Sequence, residues 1–303
     1  MQYARGKALG LITALAFFMA GSPAAFAAGT ASSTQIDNTA TVDYQVSGIA
    51  QTPVTSNTAS FLVDNRVDLT VAEPTGTYVN VVPGATGQAL TFTVTNTGNT
   101  TQDFVLGAAA GNDPFGGTDN FDAVNPPSVY VEDGTSAGYQ PAEDTATFID
   151  ELPADATATV YIVADIPVSR VDGDIAAYTL TATAHDGGTA GAEGALTTET
   201  AGANTIDAVD VVFADDAGDT DNPNQGDYSG TGAYLVTTAT LSIAKDVAVV
   251  DDPINGTTDP KAIPGATMRY TITVDNTSGT TGADNVVVTD APPELVTVIA
   301  LPR

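Results

Sequence analysis

Apolar residues recur at every second position along most of this chain, and that period admits strands and little else. In TATVDYQV the apolar set is Ala40, Val42, Tyr44 and Val46; in SFLVDNRVDLTVA it is Phe61 and Val63, then Val67, Leu69 and Val71. The same alternation gives Leu90, Phe92 and Val94, then Val160, Ile162, Ala164 and Ile166, then Tyr178, Leu180, Ala182 and Ala184. Near the end it gives Leu241, Ile243, Val247 and Val249, then Tyr270, Ile272 and Val274. Side chains of a strand alternate between faces, so a period of two hides one face and wets the other. The intervening residues are largely Thr, which is β-branched and tolerates solvent. Gly and Pro clusters separate the runs. The pattern predicts an all-β chain of tandem immunoglobulin-like antiparallel sandwiches, the last one incomplete.

The acids agree with this. The chain carries 37 Asp+Glu against 8 Lys+Arg, a formal charge of −29, and the acids are mostly Asp. Asp suits turns and loop ends and is a poor helix former. So few cations cannot make a basic stripe for a nucleic-acid backbone, and anionic lipid is disfavoured for the same reason. An acidic surface of this kind serves solubility, and it suits a salty or divalent-rich medium. With no Cys, disulfides, thiolate metal sites and thiol nucleophiles are excluded.

The first residues read as an export signal. Arg5 and Lys7 precede an apolar run, Ala8 to Ala20, too short for a comfortable membrane span; Ala25-Phe26-Ala27 is a cleavage site with Ala28 as the mature start. The expected product is exported, to the extracellular space or the envelope of a prokaryote, with no transmembrane segment after signal cleavage. Composition divides the chain into a leader (1–27), a strand segment packing on the next domain (28–65), and a sandwich (66–186) interrupted by a long loop (107–128). A Gly/Ala-rich linker with an acidic hairpin loop (187–240) follows, then a partial sandwich (241–303).

One phrase occurs twice. Pro83-Gly84-Ala85 and Pro264-Gly265-Ala266 each launch a strand that ends in Asn-Thr and a Gly, and the strands before them also match, LTVAEP (69–74) against LSIAKD (241–246). Pro presets φ for such a turn and Gly supplies a positive one. The match predicts a duplicated module. At these residues the chain resembles a family of bacterial and archaeal surface repeats known as domain of unknown function eleven. The elements that carry the resemblance are LSIAKD, IPGA, YTITVDNTSG and NVVVTDAPP (285–293), with a partial match over 66–98. The resemblance implies an immunoglobulin-like fold on secreted or envelope-attached proteins, often in tandem, with no established activity. The first copy departs from it in having Glu73 where the second has Lys245. The last copy stops at VTVIALPR, short of a module of roughly 100 residues, so either the chain continues or another segment completes the sheet.

Two groups of residues invite chemistry. Asp215, Asp216, Asp219, Asp221 and Asp227 crowd an acidic, Gly-containing loop, and hard oxygen ligands of this kind suit calcium. Pro223 and Gly230 break the EF-hand spacing, and a solvated acidic loop is the competing reading. GNDPFGGTDNFD (111–122) is a poorer candidate. Lys245 shares parity with the apolar set of its strand, as Asn276 and Asp290 do with theirs. A buried Lys beside Asn and an acid could form an isopeptide crosslink, whereas a bulge would let the amine reach solvent. His185 is the only His and sits at a strand end, expected on the surface, so neither a Cys–His pair nor a His metal cluster can be built.

The sequence therefore points to a non-enzymatic structural or adhesive surface protein without a cofactor, whose partners are other surface or matrix proteins, glycans or itself. Two other readings stay open. One is a calcium-dependent binding module. The other is a subunit of a strand-exchanged filament, in which the segment near residue 36 is donated to the incomplete last module.

Overall fold

The computed structural model describes residues 29–124, 127–278 and 281–291, and every regular element among them is a strand. The leader and its cleavage site lie outside the described residues. No described helix is long and apolar enough to cross a membrane.

The first part is an arm. β1 (Gln35–Asn38), β2 (Thr41–Val42) and β3 (Gln45–Val46) run outward, and β4 (Ile49–Ala50), β5 (Val54–Thr55) and β6 (Ala59–Leu62) return beside them, antiparallel. Ser47 and Gly48, at φ 52° and 82°, make the tight two-residue turn that suits a hairpin's twist. Ile36 faces Phe61, Val42 faces Val54 and Val46 faces Ile49, so one apolar stripe runs the length of the arm. The arm was expected to pack on the next domain. It is instead held at its base, where Ser32 N–H donates to Asn99 O and the Asn99 amide donates to Thr30 O and Asp64 O. Its stripe is bare: Val42, Val46, Ile49 and Phe61 are all exposed.

The second part is a two-sheet sandwich. It comprises β7 (Asn65–Val67), β8 (Leu69–Ala72), β9 (Val79–Val81), β10 (Gln88–Asn96), β11 (Gln102–Ala110) and β12 (Ser128–Val131), followed by β13 (Phe148–Leu152), β14 (Thr157–Ala164), β15 (Ile175–Asp186), β16 (Val211–Phe213) and β17 (Asp227–Val236). One sheet has the order β12-β14-β10-β8 and the other β13-β11-β15-β17-β9. The first strand is thus split between the sheets, and its second half, β9, runs parallel to the last strand, β17. Each half is thereby the edge strand of its own sheet. Between the sheets lie Leu69, Leu90, Phe92, Val94, Phe104, Val160, Ile162 and Leu180, each at most 1% exposed.

Two expectations need correction here. The sandwich does not end at 186, because β17 pairs with β15 from Thr183↔Asp227 to Ile175↔Leu235 and is a central strand. Its inward residues Gly230 and Gly232 look like turn residues in the sequence. A Cβ on Gly232 would stand 3.2 Å from Phe92 Cζ, a tight contact to which Phe92 would have to yield by a few tenths of an ångström. The Gly-rich stretch after 186 is also not a free linker. Thr197 Oγ1 bonds to the Asp186 carboxylate, and His185 pairs with Leu196 as a bridge. The long loop after β11 likewise has a structural job. Phe115 meets Tyr78 edge to face at 4.9 Å, and together they pack on Ile175, Ala177 and Ala233, covering the sheet face that alternation would leave wet.

The third part is a ribbon of two long strands, β18 (Leu241–Asp251) and β19 (Thr267–Asn276). Its register matches that of β8 and β10. Leu69 faces Asn96, Val71 faces Val94 and Ala72 faces Thr93; Leu241 faces Asn276, Ile243 faces Val274 and Ala244 faces Thr273. The turns match as well. Ala85 N–H bonds to Val82 O at 3.1 Å with Gly84 at φ 79°, and Ala266 N–H bonds to Ile263 O at 2.9 Å with Gly265 at φ 90°. Both are type II turns, with Pro second and Gly third. Each strand then ends in an Asn whose side chain closes the next turn: Asn96 donates to Thr100 O and accepts from Gly98 N–H, while Asn276 donates to Thr281 O and accepts from Ser278 N–H.

Candidate functional site

The acidic loop before β17 gathers three of its five expected ligands. Asp215 is buried and accepts from Gly226 N–H (2.9 Å) and Gln225 N–H (3.0 Å), which fixes the turn into β17. Asp221 accepts from Gly218 N–H and from the Ser229 hydroxyl. Asp227 is pushed above the usual carboxylate range, first by burial and then by Asp221 and Asp215 nearby, and its Oδ1 is buried without a hydrogen-bond partner. Asp216 and Asp219 are exposed. The lone pairs of Asp215 and Asp221 are thus largely spent on N–H and O–H donors, whereas calcium takes six to eight oxygens.

Two tighter acid groups were not legible in the sequence: one joins residues of two strands, β11 and β13, and the other joins the two ends of the loop after β12. In Asp103, Asp150 and Glu151 the carboxylate oxygens lie within 4.8 Å of one another, and the same holds for Glu132, Asp133 and Asp144. Both groups fasten loops. Asp103 is fully buried and accepts from Glu151 N–H at 2.8 Å and Gly194 N–H at 2.9 Å. Asp150 takes Gly191 N–H and Glu151 takes Gly188 N–H. The loop after β15 is thereby tied to β11 and β13. Asp144, also buried, accepts from Gln140 N–H and Asp133 N–H. That closes the loop after β12 over Tyr161, whose hydroxyl donates to Glu132 and whose proton is held tightly by burial and by that carboxylate. Tyr139 of the same loop stacks on Tyr130 of β12 at 5.4 Å. His185, expected at the surface, is mostly buried; its Nδ1 lies 2.8 Å from Gly194 O and 3.5 Å from Glu193 Oε1.

The expected crosslink trio is not assembled. Lys245 Nζ meets Asp290 Oδ1 at 2.6 Å and lies 4.9 Å from the centre of the Tyr270 ring, with 40% of its side chain exposed. Its cross-strand partner is Ile272, whereas Asn276 faces Leu241. Four residues of strand separate them, roughly 13 Å at the rise of a β-strand. An amine in water at that distance cannot attack the amide, so the correction is an ion pair in place of a covalent bond.

What the ribbon offers is a face. Leu241, Ile243, Val247, Tyr270 and Val274 are 45%, 67%, 54%, 43% and 36% exposed. The register counterparts of Leu241, Ile243, Tyr270 and Val274 in the sandwich, Leu69, Val71, Leu90 and Val94, are at most 5% exposed. The ribbon's opposite face carries Ser242, Asp246, Thr271, Thr273 and Asp275. The ribbon is therefore amphipathic, with its apolar side bare.

No family model matches this chain, and no curated protein matches it either.

The far end of the ribbon is an acid-centred turn. Asp252 accepts from the backbone N–H of Asn255, Ile254 and Lys261 and from the Asn255 amide. These bonds, that from Asn255 N–H foremost, hold its carboxyl down to about 2. A depressed carboxylate stabilises the fold above its unfolded value of roughly 3.9, and that stabilisation is lost as pH falls through the folded value. The turn should therefore stay intact at pH 4 and open between pH 3 and about 2. A carboxyl-resolved NMR titration should place the Asp252 midpoint about 2; a midpoint near roughly 3.9 would mean the bonds do not form in solution.

Proposed function

We propose that this chain is an exported structural or adhesive protein of a prokaryotic cell surface or matrix, acting through the spacing and faces of duplicated sandwich modules and not through a reaction. The observation that carries the reading is the matched register of β8–β10 and β18–β19, with one apolar face covered and the other bare. An exposed apolar face of this extent is a contact surface. The leader-like start, the absence of Cys and the acidic surface support a place outside the cytosol. The likeness to surface repeats supports the same setting, and the partners are other surface or matrix proteins, glycans or another copy.

Cell fractionation of an expressing prokaryote, with protease added to intact cells, tests it. The expected result is a chain starting at Ala28 that the protease reaches. A chain retained in the cytosol with its first residues intact would contradict the reading. A calcium-dependent form of it draws on the unpartnered Asp227 Oδ1 beside Asp215 and Asp221. Thermal unfolding unchanged by a chelator would remove that form.

A further inference from the structure

We propose that the arm of one copy lies on the apolar face of the β18–β19 ribbon of the next, joining copies head to tail. This deepens the structural reading by naming the partner, a second copy of the chain.

The sandwich shows what such a face is built to receive. The inner face of β8 and β10 is covered by β17, whose Gly230 backbone sits against Val71 and whose Gly232 backbone sits against Phe92. Tyr234 follows, fully buried, its hydroxyl donating to Gln88 O at 2.8 Å and Ile162 O at 2.9 Å. The ribbon has the counterparts of β8 and β10 in the same register, with Lys245 on that face paired to Asp290, but among the described residues no strand lies over them.

The arm carries a strand of the β17 type. Residues 40–46, ATVDYQV, align with 230–236, GTGAYLV, with Thr, Tyr and Val at the same places and an apolar or small residue at each inward position. Val42 takes the place of Gly232 and Tyr44 that of Tyr234. The residue facing Tyr44 is then Met268, the counterpart of Gln88, whose carbonyl would receive the Tyr44 hydroxyl. Tyr44 is 46% exposed in the single chain, so its hydroxyl and ring are free to engage a partner.

Placement favours the next copy as the occupant. The arm is rooted beside Asn99, in the turn between β10 and β11. The ribbon leaves from the opposite pole, after Thr237 N–H bonds to Val81 O and Thr238 N–H bonds to the Asp172 carboxylate. Two complementary faces at opposite poles make a heterologous contact, which propagates as a ring or fibre. Within residues 35–62 the charged side chains are Asp37 and Asp43 alone, and the ribbon and its end turn hold Lys245, Lys261 and Arg269 beside Asp246, Asp251, Asp252, Asp259 and Asp275. Each segment is formally −2 in a chain of formal charge −29, so their contact adds little repulsion.

The chain has no Cys, so single cysteines report contacts cleanly. Val42→Cys and Ile272→Cys correspond to Gly232 and Phe92, which touch. Full-length Val42→Cys and Ile272→Cys chains, mixed and treated with a short bismaleimide crosslinker, should form the mixed dimer in at least tenfold excess over a mixture of Val42→Cys with Val212→Cys. Wild-type chain should gain mass with concentration in sedimentation equilibrium, and Tyr44→Asp should weaken that association at least tenfold without changing thermal unfolding. A mixed crosslinked dimer no more abundant than the control, predominant Val42→Cys homodimers (arm on arm), or a wild-type monomer at every concentration would each overturn the proposal. Fractionation of the same variants separates this from the surface reading: a chain outside the cell that does not crosslink sinks only the assembly.

Discussion

Leu69→Ala should lower the unfolding free energy of the chain by about 2–5 kcal/mol, the usual cost of truncating a closely packed Leu. Leu241→Ala, at the matching position of the ribbon, should change it by no more than about 0.5 kcal/mol, as substitutions at open surface do. The residue is the same, and so is its cross-strand partner, an Asn. Only the cover differs: Leu69 is fully buried and Leu241 is 45% exposed. Denaturant titration of dilute, monomeric chain measures both. Equal costs would mean that something covers the ribbon even in the single chain.

Asp103→Ala should be the most damaging change outside the core. It leaves the N–H groups of Glu151 and Gly194 without their acceptor in a buried place. Each orphaned buried donor costs about 1–3 kcal/mol, giving roughly 2–6 kcal/mol together. The damage should be local as well, because the loop after β15 hangs on that carboxylate and on Asp150 and Glu151. Asp103→Asn keeps one acceptor oxygen and should lose about half as much. Hydrogen exchange at Gly194 and Glu151 reads the effect directly. Unchanged protection in the Ala variant would show that other groups hold the loop.

The strands were legible because alternation survives wherever one face is buried. Leu90, Phe92 and Val94 in β10 and Tyr178, Leu180 and Ala182 in β15 are buried as their parity implies. Alternation says which side chains share a face, but it does not say whether anything covers that face. Val42 and Ile243 have the same pattern as Val94 and stand in solvent. The last strand of the sandwich was obscured by Gly230 and Gly232, whose smallness answers to Val71 and Phe92 across the core and not to a turn. Acid sites fared worst. Asp215 to Asp227 are close in sequence and only partly converge, whereas Asp103 reaches Asp150 and Glu151 across a strand pair that no local spacing reveals. The Lys245 pairing was half legible: parity brings Asp290 to it, but register carries Asn276 away to Leu241.

Amide hydrogen exchange across two matched strand ends tests the central claim most directly. The amides of Thr93 and Thr95 in β10, which face β8, and of Thr273 and Asp275 in β19, which face β18, have the same cross-strand register, one set beneath a second sheet and one without. In dilute chain the first set should exchange only through global unfolding, and the second should exchange orders of magnitude faster. Raising the concentration should slow the second set alone. Equal protection of the two sets in the dilute chain would contradict the account, because the ribbon's face would then already be covered.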